Sequence, residues 1–468
     1  MSAAPAPGAG AAPAPECWQP PLSMTTVPST PQAREDRGVD ATRLLRGLRP
    51  DRHALTLGQH LAVHGPLASA ATRPEAVLAD VEASGLAGRG GGRYPLAAKL
   101  AAVRAASGPM RRAFVVVNGG SSEPAVRKDD VLLERTPHLV LDGLALAATA
   151  AGAREGVVWL HRGQTAALAA VQSALAERAA AGVPGPRTRV ELGPGRYVAG
   201  EASAVVRHLS GGPARPTTTP PRAAQRGVHG RPTLVANAET LAHLALVARH
   251  GPSWFRTVGT DSEPGTVLVT VVGAVRVPGV VEAAVGTSLL ALVDACGGVL
   301  TGPPSALLVG GYAGAWVRAD AADRTEFSQA GLRPLGAEPG AGLLAVLPAT
   351  ACPVAETARL VRWLAGESAG QCGPCLNGLP ALAGAARALA AAGPQAAQAA
   401  GWLARWAAMI DGRGACHHPD GVARLVRSLL AALPDEVTRH GGGRACPHPV
   451  RYLQLPGPAK TPGGGLWR

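Results

Sequence analysis

Between residues 55 and 250, short runs of β-forming residues alternate with Ala-rich stretches, and this alternation constrains the fold more than any other feature of the chain. The β-type runs lie at 113–117, 156–160 and 189–192. The stretches between them are rich in alanine, which favours helices that can cover a sheet. The alternation therefore predicts an α/β layer architecture for this part of the chain.

The pattern changes at Gly265. Strands are predicted at 266–273, 275–282, 307–312 and 343–347, with a short helix and a glycine stop at 289–298. These elements predict a small α+β module. After Cys352 the pattern becomes helical, from Val354 to about Leu433, and the chain ends in a segment rich in Gly and Pro.

Composition and charge exclude several classes of protein. The net charge is +13, but the arginines are spread along the chain and aromatic residues make up only 3%, which argues against nucleic-acid binding. The first ~35 residues lack the basic and apolar regions of a signal peptide. No uncharged apolar stretch reaches the ~20 residues of a membrane span. We therefore expect a soluble cytoplasmic protein.

Lysine and asparagine are scarce, so the positions that keep them are informative. Lysine occurs only at 99, 128 and 460, which leaves 42 arginines, and asparagine occurs only at 118, 237 and 377. Asn118 ends an apolar run, and the carboxyl end of a strand is where open α/β sheets place ligands. It also opens a turn, for which asparagine is an ordinary residue.

A glycine-rich loop precedes Lys99. The segment Gly88-Arg-Gly-Gly-Gly92 leaves backbone N–H groups uncovered, and such loops bind anions. Lys99 can supply a positive charge to a phosphate oxygen. In a chain with 60 glycines, a plain flexible turn is the competing explanation. The pairing with Asn118 favours a cofactor site.

Three of the seven cysteines cluster late in the chain. Cys372 and Cys375 are about one helical turn apart, and Cys416 follows in Gly414-Ala-Cys-His-His. Thiolates at this spacing hold zinc or an iron–sulfur cluster, and a cytoplasmic metal site fits an odd number of cysteines better than a disulfide framework. A thioredoxin-like pair would need a preceding strand, whereas this pair lies in helical sequence. Cys296 and Cys352 are interpreted as packing residues.

Taken together, these segments resemble the NADH-binding flavoprotein subunit of respiratory complex I and its relatives in NAD-linked hydrogenases and formate dehydrogenases, over roughly residues 75 to 450. The loop with Lys99 is similar to the family's FMN loop. Segments 118–129, 197–201 and 235–240 resemble its flavin-contacting segments, and Cys446-Pro resembles a non-ligand Cys-Pro near its C-terminus. The resemblance implies cofactor contacts at Gly88, Arg89, Gly90, Gly91, Lys99, Asn118, Gly200, Glu201, Asn237 and Thr240.

The resemblance also implies the architecture. It predicts an α/β FMN-binding domain, then a ubiquitin-like β-grasp (soluble-ligand-binding) module and a C-terminal helical iron–sulfur domain. The expected boundaries are a disordered tail at 1–40, the FMN domain at 41–250, the β-grasp module at 251–350, the iron–sulfur domain at 351–440 and a C-terminal tail at 441–468.

The iron–sulfur site departs from the family pattern at one ligand. The family's four-cysteine [4Fe–4S] motif corresponds to Glu367–Cys375 plus Cys416, but its first cysteine is Ala369 here. Cys372, Cys375 and Cys416 remain as metal ligands. Either a side chain such as His417 or a solvent ligand completes a [4Fe–4S] cluster, or the cluster is [3Fe–4S], or it is lost; three retained cysteines favour a cluster.

The dinucleotide site departs further. This chain lacks the family's residue at four positions. Ala102 and Arg222 stand where the family has aromatic residues, Ala202 where it has a glutamate and Thr219 where it has a lysine. Loss of aromatic faces removes support for adenine stacking and argues against NADH as the donor.

The leading hypothesis is an electron-transfer flavoprotein that passes electrons between FMN and an iron–sulfur cluster, to or from a ferredoxin-like or other redox subunit. Glu123 and Glu201 are the candidates for shaping the reactive face of the flavin. One alternative is an NADH dehydrogenase module with altered dinucleotide contacts. Another is a scaffold that moves no electrons, against which the retention of Lys99, Asn118 and three cysteines argues.

Overall fold

The structure is a computed structural model and describes residues 23–26, 42–48, 53–300, 302–446, 452–453, 455 and 467. Within these residues, the first part of the chain forms β1 Ser23–Thr26, α1 Leu57–His64, α2 Pro74–Ser84, α3 Leu96–Ala106, β2 Phe114–Asn118, α4 Lys128–Arg135, α5 Pro137–Ala151, β3 Glu155–His161, α6 Thr165–Ala180, β4 Arg187–Gly193, α7 Ala202–Leu209, β5 Thr233–Asn237, α8 Ala238–His250 and α9 Pro252–Phe255.

The second part forms the mixed module and the C-terminal helices. Its elements are β6 Thr266–Gly273, β7 Gly279–Ala284, α10 Leu289–Ala295, β8 Pro304–Val309, β9 Ala315–Arg318, α11 Gln329–Leu332, β10 Leu343–Pro348, α12 Pro353–Gly366, α13 Leu379–Ala391, α14 Ala396–Ile410, α15 His418–Ala432 and α16 Pro434–Gly441.

Four parallel strands form the first sheet, in the order β4-β3-β2-β5. The four apolar residues that precede Asn118 in β2 are all buried, as expected for a parallel strand covered on both faces. Helix α5 begins with Pro137 and ends at Gly152, whose φ of +70° is the left-handed conformation that stops a helix. The predicted α/β layer architecture is confirmed.

The second sheet is mixed and has the order β1-β7-β6-β10-β8-β9. Strands β6 and β7 form an antiparallel pair, and β10 lies parallel to β6. At one edge, β1 pairs in parallel with β7, Ser23 with Gly279. The expectation that residues 1–40 form a disordered tail is therefore wrong for 23–26, whose backbone completes a sheet edge; residues 1–22 and 27–41 lie outside the described part.

The C-terminal helices pack into one apolar core with the end of the mixed sheet, and short pieces of the final segment return to the body of the protein. Leu453 is 4% exposed and Trp467 is 2% exposed. The Trp467 ring lies 4.8 Å from the Arg196 guanidinium and 5.1 Å from that of Arg215. Such cation–π contacts fasten this residue to the α/β domain.

A buried charged cluster joins the α/β domain to the mixed sheet. Lys128 Nζ at the start of α4 donates to Glu239 at 2.9 Å, to Asp129 at 3.2 Å and to Asn237 Oδ1 at 3.2 Å. The other Glu239 oxygen accepts from the backbone N–H of Leu268 in β6 at 2.9 Å. The glutamate thus connects a helix of the first domain to a strand of the second.

In the part of the chain that the structure describes, no helix combines the length and the apolar character that a bilayer crossing requires.

Helices α5 and α8 approach so closely that only glycine fits at their contact. A Cβ atom on Gly143 would lie 1.9 Å from the Leu241 carbonyl oxygen, which belongs to backbone and cannot turn aside. We expect Gly143→Ala to lower the thermal midpoint, with a destabilisation of about 1–3 kcal/mol from overpacking. Gly163→Ala is the control, since a Cβ there meets nothing within 4 Å. Equal midpoints for the two variants would contradict the packing described for α5 and α8.

Candidate functional site

A cleft of about 1420 Å³ lies at the carboxyl edge of the parallel sheet and extends to the start of α15. Its walls include the glycine loop, the ends of β2 and β5, the turn after β2, residues 197–202 and the segment 310–318 of the mixed sheet. Cys416 and the first residues of α15 also line it. One cleft therefore brings the predicted flavin loop and one predicted cluster cysteine to the same space.

The glycine loop forms a rim with open backbone. Gly88 N–H donates to Tyr94 O at 3.0 Å and closes the loop. Gly91 and Gly92 are exposed, and a Cβ on either would meet nothing within 4 Å. Space for a ligand therefore exists directly against these residues, as the anion-binding interpretation of the loop requires.

Arg89 is the one predicted loop contact that points away. Its guanidinium donates to Pro264 O at 2.9 Å, the residue is 3% exposed, and it does not line the cleft. Burial lowers the pKa of Arg89 to about 10. Its backbone N–H donates to Thr240 Oγ1 at 2.8 Å. The Arg89 side chain therefore anchors the loop, and Thr240, which does line the cleft, holds the loop from α8.

The two asparagines lie side by side. Asn118 at the end of β2 pairs in register with Asn237 at the end of β5. Asn118 Nδ2 donates to Gly200 O at 2.8 Å, whereas its buried Oδ1 has no hydrogen-bonding partner among the described residues. An unpaired buried acceptor on a cleft wall is unfavourable unless a ligand donor meets it. This orphaned oxygen fits a bound group with an N–H or O–H at its edge.

Lys99 lines the cleft from α3, one turn beyond the loop. Its Nζ donates to Val235 O at 2.9 Å, which fixes the ammonium at the wall and leaves its other N–H groups for a ligand. Burial lowers the pKa of Lys99. An anionic group bound in the cleft would offset that loss of hydration.

Gly200 has no room for a side chain. A Cβ there would lie 2.1 Å from Ser122 Oγ. The next residue, Glu201, is exposed, lines the cleft and caps α7 by accepting from Ser203 N–H at 2.8 Å and Ala204 N–H at 3.1 Å. Part of the hydrogen-bonding capacity of the Glu201 carboxylate is therefore taken up in capping α7.

Glu123 is the buried carboxyl group of the cleft wall. It is 6% exposed, and its Oε2 accepts at 2.8 Å from the N–H of Tyr312, in the connection between β8 and β9. Tyr197 OH lies 3.4 Å from its Oε1. Burial raises the pKa of Glu123 to about 7, against the smaller opposing effect of these donors. The carboxyl group can therefore hold or release a proton near neutral pH.

The three predicted cluster cysteines come together at the other end of the cleft. Cys375 is buried in a helical turn over Pro374–Gly378, Cys372 is half-buried just before it, and Cys416 is half-buried just before α15. Burial raises the pKa of Cys416 to about 12, and the nearby Cys375 and Cys372 add to the rise.

These three thiols do not all lie within 4.8 Å of one another. In the described part of the chain, the group whose ligand atoms do so is a different one, Cys352 with Glu436, His440 and Cys446.

The fourth ligand position is filled by apolar packing. Ala369 is 7% exposed and packs with Val198 and Trp467. His417, the side chain considered as a replacement, is fully exposed, with Nδ1 3.0 Å from Asp420. A solvent ligand or a three-iron cluster agrees better with this arrangement than His417 does.

A buried ion pair fixes the cysteine motif to the flavin side of the cleft. Arg196 Nε donates to Glu367 at 2.9 Å, and the Tyr197 N–H donates to the same oxygen at 2.9 Å. Glu367 opens the cysteine motif, while Tyr197 begins the turn that leads to Gly200. Any shift of the motif would therefore move the cleft wall with it.

The four positions that depart from the family's dinucleotide contacts are scattered. Ala202 lines the cleft, whereas Ala102, Thr219 and Arg222 are exposed and do not line it. Sequence reasoning did not find the arginines of the far wall, Arg318, Arg424 and Arg427. They come from β9 and α15, and nothing in their local sequence marks them.

Comparison with known families agrees with this geometry. Residues 81–246 match the Nuo51 FMN-binding domain, residues 268–308 the SLBB domain and residues 355–440 the NADH-ubiquinone oxidoreductase-F iron–sulfur binding region. The predicted fold class, with its FMN, β-grasp and iron–sulfur parts, is confirmed, as are FMN and an iron–sulfur cluster as the cofactors.

Two similar proteins are bacterial. The second NADH-quinone oxidoreductase F subunit of Rhizobium meliloti is 30% identical, over 80% of this chain and 90% of its own length. The corresponding F subunit of Streptomyces coelicolor is 30% identical over 83% of this chain and 88% of its own. A solved NAD+-reducing [NiFe]-hydrogenase is similar with a TM-score of 0.72 and 31% identity; the match covers 81% of this chain and 64% of the hydrogenase chain. This chain belongs to the family of the F subunits of NADH-quinone oxidoreductase, the FMN- and iron–sulfur-containing electron-transfer subunits.

Proposed function

We propose that this cleft passes electrons between FMN and an iron–sulfur cluster, to or from a redox partner subunit. The observation that carries the proposal is that Lys99, Asn118 and Cys416 line one continuous cleft. When bound, FMN exchanges electrons in pairs or singly and the cluster exchanges them one at a time. The residues of the chain bind, orient and tune the two groups.

The glycine loop and Lys99 are the proposed phosphate contacts. The open backbone of Gly91 and Gly92 offers N–H groups, and Lys99 offers a positive charge already held at the wall by Val235. Asn118 and Asn237 supply polar groups at the sheet edge, with the orphaned Asn118 Oδ1 as an acceptor. Gly88, Gly90, Gly200 and Thr240 shape the wall, and this set supports a planar, phosphate-bearing ligand.

Glu123 and Glu201 are the proposed carboxyl groups near the reactive face. Glu123 is buried and has a raised pKa, so it is suited to hold a proton at neutral pH. Glu201 is exposed and engaged at the end of α7, so its proposed role is to bind and orient.

Cys372, Cys375 and Cys416 are the proposed cluster ligands. Because Ala369 offers no ligand atom, the cluster is proposed as [4Fe–4S] with a solvent ligand or as [3Fe–4S]. Next to these cysteines in the sequence, the apolar side chain of Leu376 is 59% exposed. An exposed apolar side chain beside the cluster, in a chain of net charge +13, suits contact with an acidic, ferredoxin-like protein.

NADH oxidation is the second candidate, favoured by the names of the relatives. Against it stands the departure at Ala202, which lines the cleft; the departures at Ala102, Thr219 and Arg222 do not line it and carry less weight.

The flavin proposal predicts a specific loss on substitution of Lys99. Lys99→Ala removes a charged hydrogen bond worth about 1.5–3 kcal/mol, so the Kd for FMN should rise about tenfold or more. Fluorescence titration of FMN with the apoprotein measures this. Arg104→Ala, at the exposed end of the same helix, should leave the Kd within about twofold. Unchanged affinity in Lys99→Ala would argue against the phosphate contact.

The raised pKa of Glu123 predicts a pH-dependent difference between wild type and Glu123→Gln. The folded protein favours the protonated carboxyl group, so this contribution to stability is fully present below the unfolded pKa of 4.5 and is lost as pH rises through about 7. The two proteins should have similar thermal midpoints at pH 5, and the variant should be the more stable at pH 8, by about 2 kcal/mol. Glu201→Gln, at an exposed site, should show no such pH-dependent gain. A pH-independent difference for Glu123→Gln would contradict a buried, titrating Glu123.

The donor can be identified by stopped-flow mixing. The family resemblance implies that all four departures remove dinucleotide contacts; at about 1 kcal/mol each, they would together weaken NADH binding by about a hundredfold or more. NADH at micromolar concentration should therefore bleach the flavin slowly, whereas dithionite should bleach it at once. Rapid bleaching by NADH would instead establish the chain as an NADH dehydrogenase module.

A further inference from the structure

Four potential metal ligands meet away from the cleft, at the point where the C-terminal segment leaves the helical domain. They are Cys352, Glu436, His440 and Cys446, and their ligand atoms all lie within 4.8 Å of one another. From the sequence, Cys352 is interpreted as a packing residue and Cys446 as a non-ligand. We propose that these four side chains form a structural Zn²⁺ site, separate from the iron–sulfur cluster.

The distances match the edges of a zinc tetrahedron. His440 Nε2 lies 3.2 Å from Cys352 Sγ and 3.5 Å from Cys446 Sγ, and Glu436 Oε2 lies 4.0 Å from Cys446 Sγ. With Zn–S bonds of about 2.3 Å and Zn–N or Zn–O bonds of about 2.1 Å, a tetrahedral site has ligand–ligand edges of about 3.4–3.8 Å. The observed edges fall on both sides of this range, so small side-chain movements suffice to close the site.

The imidazole presents the correct nitrogen. His440 Nδ1 lies 3.2 Å from the Leu389 carbonyl oxygen, which can only accept, so Nδ1 carries the proton. Nε2 then has its lone pair free and directed at the two sulfur atoms. A second hydrogen bond of this kind is the usual means by which proteins orient a metal-binding histidine.

Both sulfur atoms accept hydrogen bonds from donors beside them. Cys352 is the N-cap of α12, and its sulfur accepts from the Ala355 N–H at 3.3 Å. Arg439 donates to the Cys446 sulfur at 2.8 Å and also pairs with Glu436. Two thiolates and one carboxylate with Zn²⁺ carry one net negative charge, which the arginine balances.

Without a metal, the hydrogen-bonding groups of these side chains are poorly matched. His440 Nε2 offers one lone pair, yet two sulfur atoms lie within 3.5 Å of it. A metal ion would bind all three atoms at once. The ligand types, two sulfurs with one imidazole and one carboxylate, suit zinc, whereas calcium and magnesium prefer oxygen ligands alone.

The position of the site indicates what the ion would do. Cys352 starts α12, whereas Cys446 follows α16, so the ion would join the two ends of the helical domain. Beyond it the chain folds back onto α12, where Tyr452 N–H donates to Glu356 at 3.2 Å and Arg359 donates to Leu453 O at 3.1 Å. Zinc would hold the chain at Cys446, just before the segment that contacts α12.

The test is metal analysis of the full chain, purified anaerobically and dialysed without chelator. We expect about one zinc per chain in addition to iron and labile sulfide. Cys352→Ser and Cys446→Ser should each lower zinc at least about fivefold and leave iron unchanged. Cys296→Ser, at a buried cysteine of the mixed sheet, should keep both metals. Cys416→Ser should lose iron and sulfide but keep zinc, which separates this site from the proposed cluster.

Zinc X-ray absorption of the wild-type protein decides the matter even if the serine variants do not fold. It should show two sulfur neighbours at about 2.3 Å and two nitrogen or oxygen neighbours at about 2.0–2.1 Å. Absence of zinc, zinc with three sulfur neighbours that disappears in Cys416→Ser, or a disulfide between Cys352 and Cys446 would each overturn the proposal.

Discussion

The arrangement of the cleft depends on the buried ammonium group of Lys128. It donates to Asp129, Asn237 and Glu239, and Glu239 in turn accepts from the backbone of β6. An ammonium can direct three N–H groups to three separate acceptors, whereas a guanidinium is a flat fork, which explains a lysine here in a chain rich in arginine. Removing one partner of such a buried pair costs about 3–5 kcal/mol, because the other charge stays buried. The Lys128 ammonium therefore holds the carboxyl edge of the parallel sheet through Asn237 and, through Glu239, the contact between the α/β domain and the mixed sheet.

Much of the fold could be predicted because its main signals are local. Strands β2, β3 and β6 are short, nearly continuous runs of buried apolar residues. Such runs can be recognised in a single sequence. β1 could not be predicted, since its four residues form a strand only by pairing with β7, about 250 positions later. Of the proposed contacts, Lys99, Asn118 and Glu123 line the cleft, whereas Arg89 turns away because Pro264 binds its side chain. The grouping of Cys352 with His440, 88 residues apart, has no local signature.

The two ends of the cleft are coupled mechanically as well as by proximity. The Arg196–Glu367 ion pair connects the cysteine motif to the turn before Gly200, and Glu123 joins that turn to the mixed sheet through Tyr197 and Tyr312. All three parts of the chain therefore meet at groups that are buried and hydrogen-bonded. Rigid positioning of this kind is what a protein contributes when its cofactors perform the redox chemistry. Ala369, at the position of the family's first cluster cysteine, packs against Trp467 in a buried apolar cluster.

We propose that flavin and cluster share one cleft and exchange electrons there. An anaerobic reductive titration of the reconstituted protein, followed by visible absorption and electron paramagnetic resonance, tests it most directly. We expect uptake of about three electrons per chain, two by the flavin and one by a cluster held by Cys372, Cys375 and Cys416. Uptake of only two electrons, with complete flavin bleaching and no paramagnetic signal from a cluster, would contradict it.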